Sequence, residues 1–291
     1  DHPEFFRSVL SQHGPACNGP ACRVCILRDF CKSAARYRDA FLGKKFDGVS
    51  VRSEETEKAG RIADALDACR RRAVRLSIHR PRAMTDFLSR IDALPDELII
   101  ETAPGADPAE LLDAAREYAP VSRMVVSEPA DFARLLEHDS LEVEIRLNTN
   151  TVSGVLRNYD LIAGAAGRFV FSMDRCPDLE TALNNGLDLK VLRRHLPPGV
   201  RVSGVPECIL PGPRDVPRFM LPMRILGPDN GIDTRSFILH FIENFYMTKS
   251  LRCDDCAAAP ECLGVHINYA RAFGYSSLSP VRRCEGVPVT P

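Results

Sequence analysis

The sequence predicts an α/β fold, a complete or partial (β/α) TIM-like barrel with a cysteine-rich segment at each end. Three observations carry this prediction. Short β patterns alternate with amphipathic helical patterns through the centre of the chain, and cysteines are concentrated near both ends. The third is size, since 291 residues with 45% apolar content can bury a full core. We divide the chain into 1–45, 46–208 and 209–291.

The central part contains a series of candidate strands, in which apolar and polar residues often alternate, as in Val74, Leu76 and Ile78. The strands are expected at 46–51, 73–79, 97–102, 123–127, 141–147, 168–173 and 200–205. Amphipathic helical patterns lie between them at 57–72, 108–118, 129–137 and 179–194. Strand–helix–strand units of this length require right-handed parallel crossovers, so the series favours a barrel. A doubly wound open sheet is the alternative, but no G-x-G-x-x-G motif follows any strand.

The pattern changes after residue 208. Five prolines between 206 and 222 predict an extended connector, and an apolar, aromatic helix is expected at 234–250. This helix leads directly to Cys253. The final third is therefore expected to be a separate segment appended to the barrel.

In a (β/α) barrel, the functional face lies at the carboxyl ends of the strands. Polar side chains that follow the predicted strands would share this edge and are candidates for binding a cofactor or substrate. These candidates are His79, Glu101, Glu128, Asn148 and Asp174. Taken singly, each could equally be a turn residue that caps a helix.

Charge and composition limit the possible partners and location. The net charge is −1, which predicts neither nucleic-acid nor membrane-surface binding, and no apolar run approaches the roughly 18 residues that a membrane span needs. Eleven cysteines without a signal-peptide pattern indicate a reducing, cytoplasmic environment. Clustered thiols in such an environment are better explained by metal ligation than by disulfides.

Two cysteine runs share the spacing C-x2-C-x5-C, one near each end of the chain. Thiolates this close together form a chelating loop for a soft metal centre. The candidate metal ligands are Cys17, Cys22, Cys25, Cys31, Cys208, Cys253, Cys256, Cys262 and Cys284. Three close thiolates and one remote one are typical of a [4Fe–4S] cluster, so we expect two such clusters. A Cys₄ zinc site is the alternative, although it usually uses two C-x2-C pairs.

The segment 253–264, CDDCAAAPECLG, resembles the C-terminal auxiliary-cluster segment of radical SAM proteins of the SPASM/twitch type. Further points of similarity are Tyr269, the pair Phe273-Gly274 and the stretch 204–211, GVPECILP. The resemblance implies a radical-SAM-like barrel with cluster-binding segments. It also implies that Cys208 joins Cys253, Cys256 and Cys262 as a ligand, with Cys284 as the competing fourth ligand.

The chain departs from this family at its defining motif. C-x3-C-x2-C, which holds the SAM-binding cluster, is absent, and Cys17, Cys22 and Cys25 form C-x4-C-x2-C instead. Cys31 offers a fourth thiolate that would close the iron to SAM. The N-terminal run, followed by Tyr37, resembles the C-terminal run more than a SAM motif.

Three functions remain open from the sequence. The first is a two-cluster iron–sulfur protein that has lost conventional SAM binding and acts in electron transfer or in maturation of a peptide or cofactor. Its partner would be a redox protein, or a peptide or protein substrate. The second is an unconventional radical SAM enzyme that uses Cys17, Cys22 and Cys25. The third is a zinc-stapled scaffold or hydrolase.

Overall fold

The structure is a computed structural model that describes residues 46–52, 71–78, 80–91, 95–174, 176–216, 220–226 and 233–281, with Ile62, Ala65, Leu66, Cys69 and Arg218. Its centre is one sheet of eight strands in the order β7-β6-β5-β4-β3-β2-β1-β8. All pairings in this sheet are parallel. The strands are β1 Gly48–Arg52, β2 Ala73–Ile78, β3 Glu97–Thr102, β4 Val121–Val126, β5 Glu142–Leu147, β6 Phe169–Met173, β7 Arg201–Ser203 and β8 Met220–Pro222.

This strand order is that of a barrel that does not close. Strands β1 to β7 lie in chain order, whereas a doubly wound sheet would reverse direction in its middle. Strand β8 lies beside β1, as it would in a closed barrel, but does not pair with β7. At the other edge, Val202 of β7 forms a parallel bridge with Arg214. The sheet is therefore a curled half-barrel, the partial form of the predicted architecture.

The described helices connect the strands or follow the sheet. They are α1 Pro81–Leu88, α2 Pro108–Arg116, α3 Phe132–Leu136, α4 Thr149–Arg157, α5 Tyr159–Gly164, α6 Leu179–Asn185, α7 Leu189–Leu192, α8 Thr234–Phe245 and α9 Ile267–Phe273. Proline opens α1 and α2, where a missing amide hydrogen costs nothing. Asp107, Asn148 and Asp178 cap α2, α4 and α6 by accepting backbone N–H bonds.

The two faces of the sheet differ in polarity. Val74, Leu76 and Ile78 of β2 are fully buried in the apolar core with helix residues such as Met84 and Phe87. The alternate positions on the opposite face carry charged side chains, because successive residues of a strand point to opposite sides. Those on the central strands are Arg75, Glu101, Arg123, Glu142, Glu144 and Arg146.

Ion pairs on the polar face link neighbouring strands. Glu101 accepts from Arg146 at 2.6 Å and from Arg75 at 3.0 Å. Arg123 contacts Glu142 at 2.7 Å, Asp215 at 2.9 Å and Glu144 at 3.3 Å. Because these side chains are largely buried, the pairing is required to offset the loss of hydration.

Glu144 shows most clearly how ion pairing outweighs the cost of burying a charge on this face. Burial acts to raise the pKa of this carboxyl, but the charges of Arg75, Arg146 and Arg123 outweigh it and hold the pKa below its ordinary value. For Arg146 the effect of burial has the opposite sign and acts to lower the pKa of the guanidinium. Neighbouring carboxylates, chiefly Glu101, outweigh burial and raise this pKa above its ordinary value. The polar face is therefore a set of ionised, mutually neutralising groups.

The C-terminal segment packs against the last helices of the half-barrel. Strands β9 (Met247–Thr248) and β10 (Val265–His266) form an antiparallel pair that leads into α9. The Tyr269 hydroxyl accepts from the Leu189 amide at 3.3 Å, and Asn268 Nδ2 donates to the Cys176 carbonyl at 2.9 Å. These buried polar contacts fix α9 against α6 and α7.

The structure corrects two of the predicted helices. The pattern at 179–194 forms α6, α7 and a 3-10 turn at Arg193–His195, because the chain is extended at Gly186 and restarts at the Asp188 cap. The pattern at 234–250 ends as a helix at Phe245, and Met247–Thr248 is a strand. Helices α1, α4, α5 and α9 were not predicted, nor were β8 within the proline-rich connector and β10.

The helix expected at 57–72 falls mostly outside the described residues. Ile62 and Leu66 are fully buried in the core, and the Cys69 thiol donates to the Ala65 carbonyl at 3.2 Å. Burial raises the pKa of Cys69 to about 11, with Asp47 adding to the effect. Among the described residues, no helix has the length and apolar character needed to cross a membrane.

Candidate metal centre

Four cysteines from two distant parts of the chain line a single cavity. They are Cys208, from the loop after β7, and Cys253, Cys256 and Cys262, from the C-terminal segment. The wall of the cavity also includes Lys249, Gly264 and the tail residues Leu278, Pro280 and Val281.

The chain turns sharply to bring Cys208 into this wall. Strand β7 ends at Ser203, and Gly204 follows with φ of 68°. The amides of Ile209 and Leu210 both bond to the Pro206 carbonyl, at 2.9 and 3.1 Å, and close a turn around Cys208. Cys208 therefore lies just beyond the carboxyl end of β7, at the edge where functional residues are expected.

Arg214 holds this turn from the side. Its guanidinium donates to the Val205 carbonyl at 2.7 Å and to the Leu210 carbonyl at 2.9 Å, one on each side of Cys208. The planar, five-donor guanidinium suits such a two-point contact. Sequence reasoning missed this residue, because an arginine in a proline-rich connector has no local signal for the role.

The remaining three cysteines lie in the connection between β9 and β10. Cys253 lies in the 3-10 turn Leu251–Asp255 directly after β9, and Cys262 lies just before β10. Gly264 has φ of 85°, and a Cβ at this position would lie 2.0 Å from the Thr248 carbonyl oxygen. Only glycine allows the two strands to meet this closely beside the thiols.

Each of the four sulfurs has a backbone hydrogen bond. The Val281 amide donates to Cys256 Sγ at 3.2 Å, and the Gly264 amide donates to Cys262 Sγ at 3.3 Å. Backbone hydrogen bonds at Ser279 and Ser250 stabilise the thiolate forms of Cys208 and Cys253. Hydrogen bonds to ligand sulfur are one means by which a protein tunes a bound metal centre.

Burial and neighbouring thiols both raise the pKa of two of these cysteines. Burial raises the pKa of Cys208, and the other three cysteines raise it further, against the Ser279 hydrogen bond. Burial also raises the pKa of Cys253, with Cys256 and Cys262 adding to it, while Lys249 acts to lower it. Cys208 and Cys253 therefore favour their protonated form unless a cation compensates the negative charge.

The cavity wall carries one lysine and one glutamate besides the thiols. Lys249 Nζ donates to the Ala259 carbonyl at 2.7 Å, and Glu207 is exposed. Within the part of the chain that the structure describes, no group of three or more His, Cys, Asp or Glu side chains forms an arrangement that could hold a metal ion. Residues can line one cavity without meeting this requirement, because they need only border the same space and need not converge on a single ion.

His266 is close to this region in sequence but is not oriented as a ligand. Its Nε2 contacts the Ile242 carbonyl at 2.8 Å, and its Nδ1 accepts from the Asn268 amide at 3.3 Å. Burial lowers the pKa of the imidazole, against the hydrogen bond to Ile242. Both nitrogens are therefore engaged in positioning the start of α9.

The candidates at the carboxyl edge of the barrel have identifiable contacts in the structure. Glu101 is buried on the polar face with Arg75 and Arg146. Glu128 accepts from the Gly105 amide at 2.8 Å.

Asn148 and Asp174 lie together at the same edge. Asn148 caps α4 through its side-chain oxygen, while its Nδ2 donates to Asp174 at 2.7 Å and to the Ser127 carbonyl at 2.9 Å. These bonds join the ends of β4, β5 and β6. A structural role therefore accounts for the Asn148 contacts that are observed.

The other predicted site residues lie outside the described residues. They are His79, Cys17, Cys22, Cys25, Cys31 and Cys284. The proposed N-terminal cluster and the choice of Cys284 as a ligand thus remain predictions from the sequence.

Comparisons of this chain with models of protein families, with curated proteins and with solved structures gave no match. The fold and the site define the protein as an α/β half-barrel with a cavity lined by four cysteines at its carboxyl edge.

Proposed function

We propose that this protein is an iron–sulfur protein that binds a [4Fe–4S]-type cluster through Cys208, Cys253, Cys256 and Cys262. The observation that carries the proposal is that these four cysteines line one cavity although 44 residues lie between Cys208 and Cys253 in the sequence. A remote cysteine and a local run of three therefore line the same wall. Three close thiolates and one remote one are a common ligand set for such a cluster.

The spacing of the ligands favours a cluster over a single zinc ion. The run C-x2-C-x5-C lacks the second C-x2-C pair that structural zinc sites usually use.

The proposed role is electron transfer, or support of a partner that matures a peptide or cofactor. A centre ligated by four protein thiolates has no open coordination position, which suits electron transfer and anchoring better than direct chemistry on a substrate. The protein's own contribution is to supply the thiolates, to donate a backbone N–H to each sulfur and to cover the centre with the tail 278–281. By the same reasoning from sequence, we propose a second cluster at Cys17, Cys22, Cys25 and Cys31.

The test is anaerobic reconstitution of the whole chain with iron and sulfide. We expect about eight iron and eight sulfide per chain for two clusters, a broad visible absorption and an EPR signal after reduction with dithionite. The variant Cys208→Ser/Cys256→Ser should lose about half of the iron. Absence of iron and sulfide, or stoichiometric zinc in their place, would overturn the proposal. Adding SAM and assaying its reductive cleavage distinguishes the radical SAM alternative.

A further inference from the structure

Lys249 occupies a defined position in the wall of the thiol cavity. It directly follows β9, and Gly264 directly precedes β10. The antiparallel register pairs Val265 with Thr248, so Lys249 comes opposite Gly264, and Lys249 Cγ lies 2.9 Å from the site of a Gly264 Cβ. The hairpin that positions Cys262 thereby also positions the lysine.

The ammonium of Lys249 is held at the loop that joins two of the ligands. Nζ donates at 2.7 Å to the carbonyl of Ala259, which lies between Cys256 and Cys262 and also lines the cavity. The lysine is half-buried, so solvent screens its charge less than that of an exposed side chain.

We infer that Lys249 is a positioning residue that raises the reduction potential of the centre bound by the four thiols, by compensating its negative charge and by fixing the 257–261 loop. The inference rests on the proposed iron–sulfur function. A [4Fe–4S] centre with four thiolates carries a net negative charge, and one-electron reduction increases it. A fixed positive charge in a partly dry wall therefore stabilises the reduced form more than the oxidised form.

Glu207, which also lines the cavity, carries a charge opposite to that of Lys249. The residue is exposed, so water and salt screen its charge. The effect of Glu207 on the potential is expected to be opposite in sign and smaller.

The experiment is an EPR-monitored redox titration of the reconstituted protein with dithionite as the electron donor. During the titration dithionite is oxidised and each centre gains one electron, with no protein bond made or broken. We compare Lys249→Met, Lys249→Gln and Lys249→Arg with a control, Lys190→Met. Lys190 is exposed and also donates to a carbonyl of the C-terminal segment, that of Ser276 at 3.4 Å, but it does not line the cavity.

We expect both neutral variants at Lys249 to reduce the equilibrium ratio of reduced to oxidised centre about tenfold at a fixed potential, a shift of about 59 mV for one electron. Lys249→Arg and Lys190→Met should titrate like the wild type. If both neutral variants lose the iron while Lys249→Arg keeps it, a positive charge is needed to hold the centre at all, which supports the inference in a stronger form.

Two results would overturn the inference. One is an unchanged potential in Lys249→Met and Lys249→Gln with full iron content, and the other is loss of iron in Lys249→Arg as well, which would make the role one of shape alone. Failure of the proposed function is distinguishable from both, because the wild-type protein itself would then contain no iron and sulfide.

Discussion

The amide of Val281 donates a hydrogen bond to Cys256 Sγ at 3.2 Å, and the Ala257 amide returns a bond to the Val281 carbonyl at 2.8 Å. This reciprocal contact ties the end of the described chain to the middle of the C-terminal cysteine run. Pro280 and Leu278 consequently form part of the cavity wall. The tail therefore limits the access of water to the thiols, a factor that affects both the stability and the potential of a bound cluster.

The choice of fourth ligand can be tested by substitution. We expect Cys208→Ser to lose one cluster's worth of iron, because Cys208 lines the same cavity as the other three thiols. Cys284→Ser should keep its iron, and the reverse pattern would show that Cys284 is the ligand. Cys69→Ser is the control, since its thiol packs against the core and donates to the Ala65 carbonyl, a bond that serine can make. Iron and sulfide content is the measurement.

Substitution of Gly264 should damage the hairpin and the thiol site together. In Gly264→Ala the new Cβ would meet the Thr248 carbonyl oxygen at 2.0 Å in a backbone with φ of 85°. We expect a loss of about 1–3 kcal/mol from backbone strain, with a further cost from the clash, and faster release of iron to a chelator. The loss should appear as a lower midpoint in urea unfolding.

Gly274→Ala is the matched control for this variant. Gly274 also has a positive φ, 69°, but nothing lies within 4 Å of its Cβ position. It should show the conformational cost alone, without faster release of iron. Equal iron release from both variants would contradict the close-contact explanation.

Docking of α9 on the half-barrel depends on Gly186. A Cβ at this position would lie 2.3 Å from the Ala182 carbonyl oxygen and 2.7 Å from Phe273 Cε2. Gly186→Ala is therefore expected to destabilise the protein by about 1–3 kcal/mol through overpacking. Gly167→Ala is the comparison, because nothing lies within 4 Å there and its φ is ordinary. Equal urea midpoints for the two variants would count against the contact.

The buried carboxylate of Glu144 should make stability depend on acid pH. The pKa of Glu144 is lowered in the folded state, because three arginine charges outweigh the effect of burial. A group with a lowered folded pKa stabilises the protein above its unfolded pKa, near 4.3, and that contribution is lost as the pH falls through the folded value. Thermal unfolding midpoints of the wild type should therefore decline as the pH falls below about 5.

Glu144→Gln provides the test of this assignment. The variant should be less stable at pH 7, by roughly 3–5 kcal/mol, since it leaves the arginines without one buried partner. Its stability should also vary less with pH below 5, because one titrating group is gone. A variant with the same acid dependence as the wild type would assign the effect to other carboxyls, such as Glu142, whose pKa is also lowered against burial by Arg123 and Arg201.

Much of the half-barrel could be predicted from sequence, because a strand that is buried on one face alternates in a way that local inspection detects. The strand at Glu97–Thr102 matches its prediction in both limits. The break at Gly186 was missed because apolar spacing continues across it. Strand β8 has no such pattern, and its pairing with β1 depends on a contact across about 170 residues.

The sequence by itself determined the number of candidate ligands, their spacing and the parallel α/β character of the centre, because these follow from local pattern and thiol chemistry. Only the tertiary structure decided that Cys208 shares a cavity with Cys253, Cys256 and Cys262, that Lys249 lies in its wall, and that the barrel stays open between β7 and β8. Each of these depends on contacts between residues far apart in the chain, which are set by packing and strand register. For Cys208 the sequence offered only the resemblance of the stretch 204–211 to a segment of a known family.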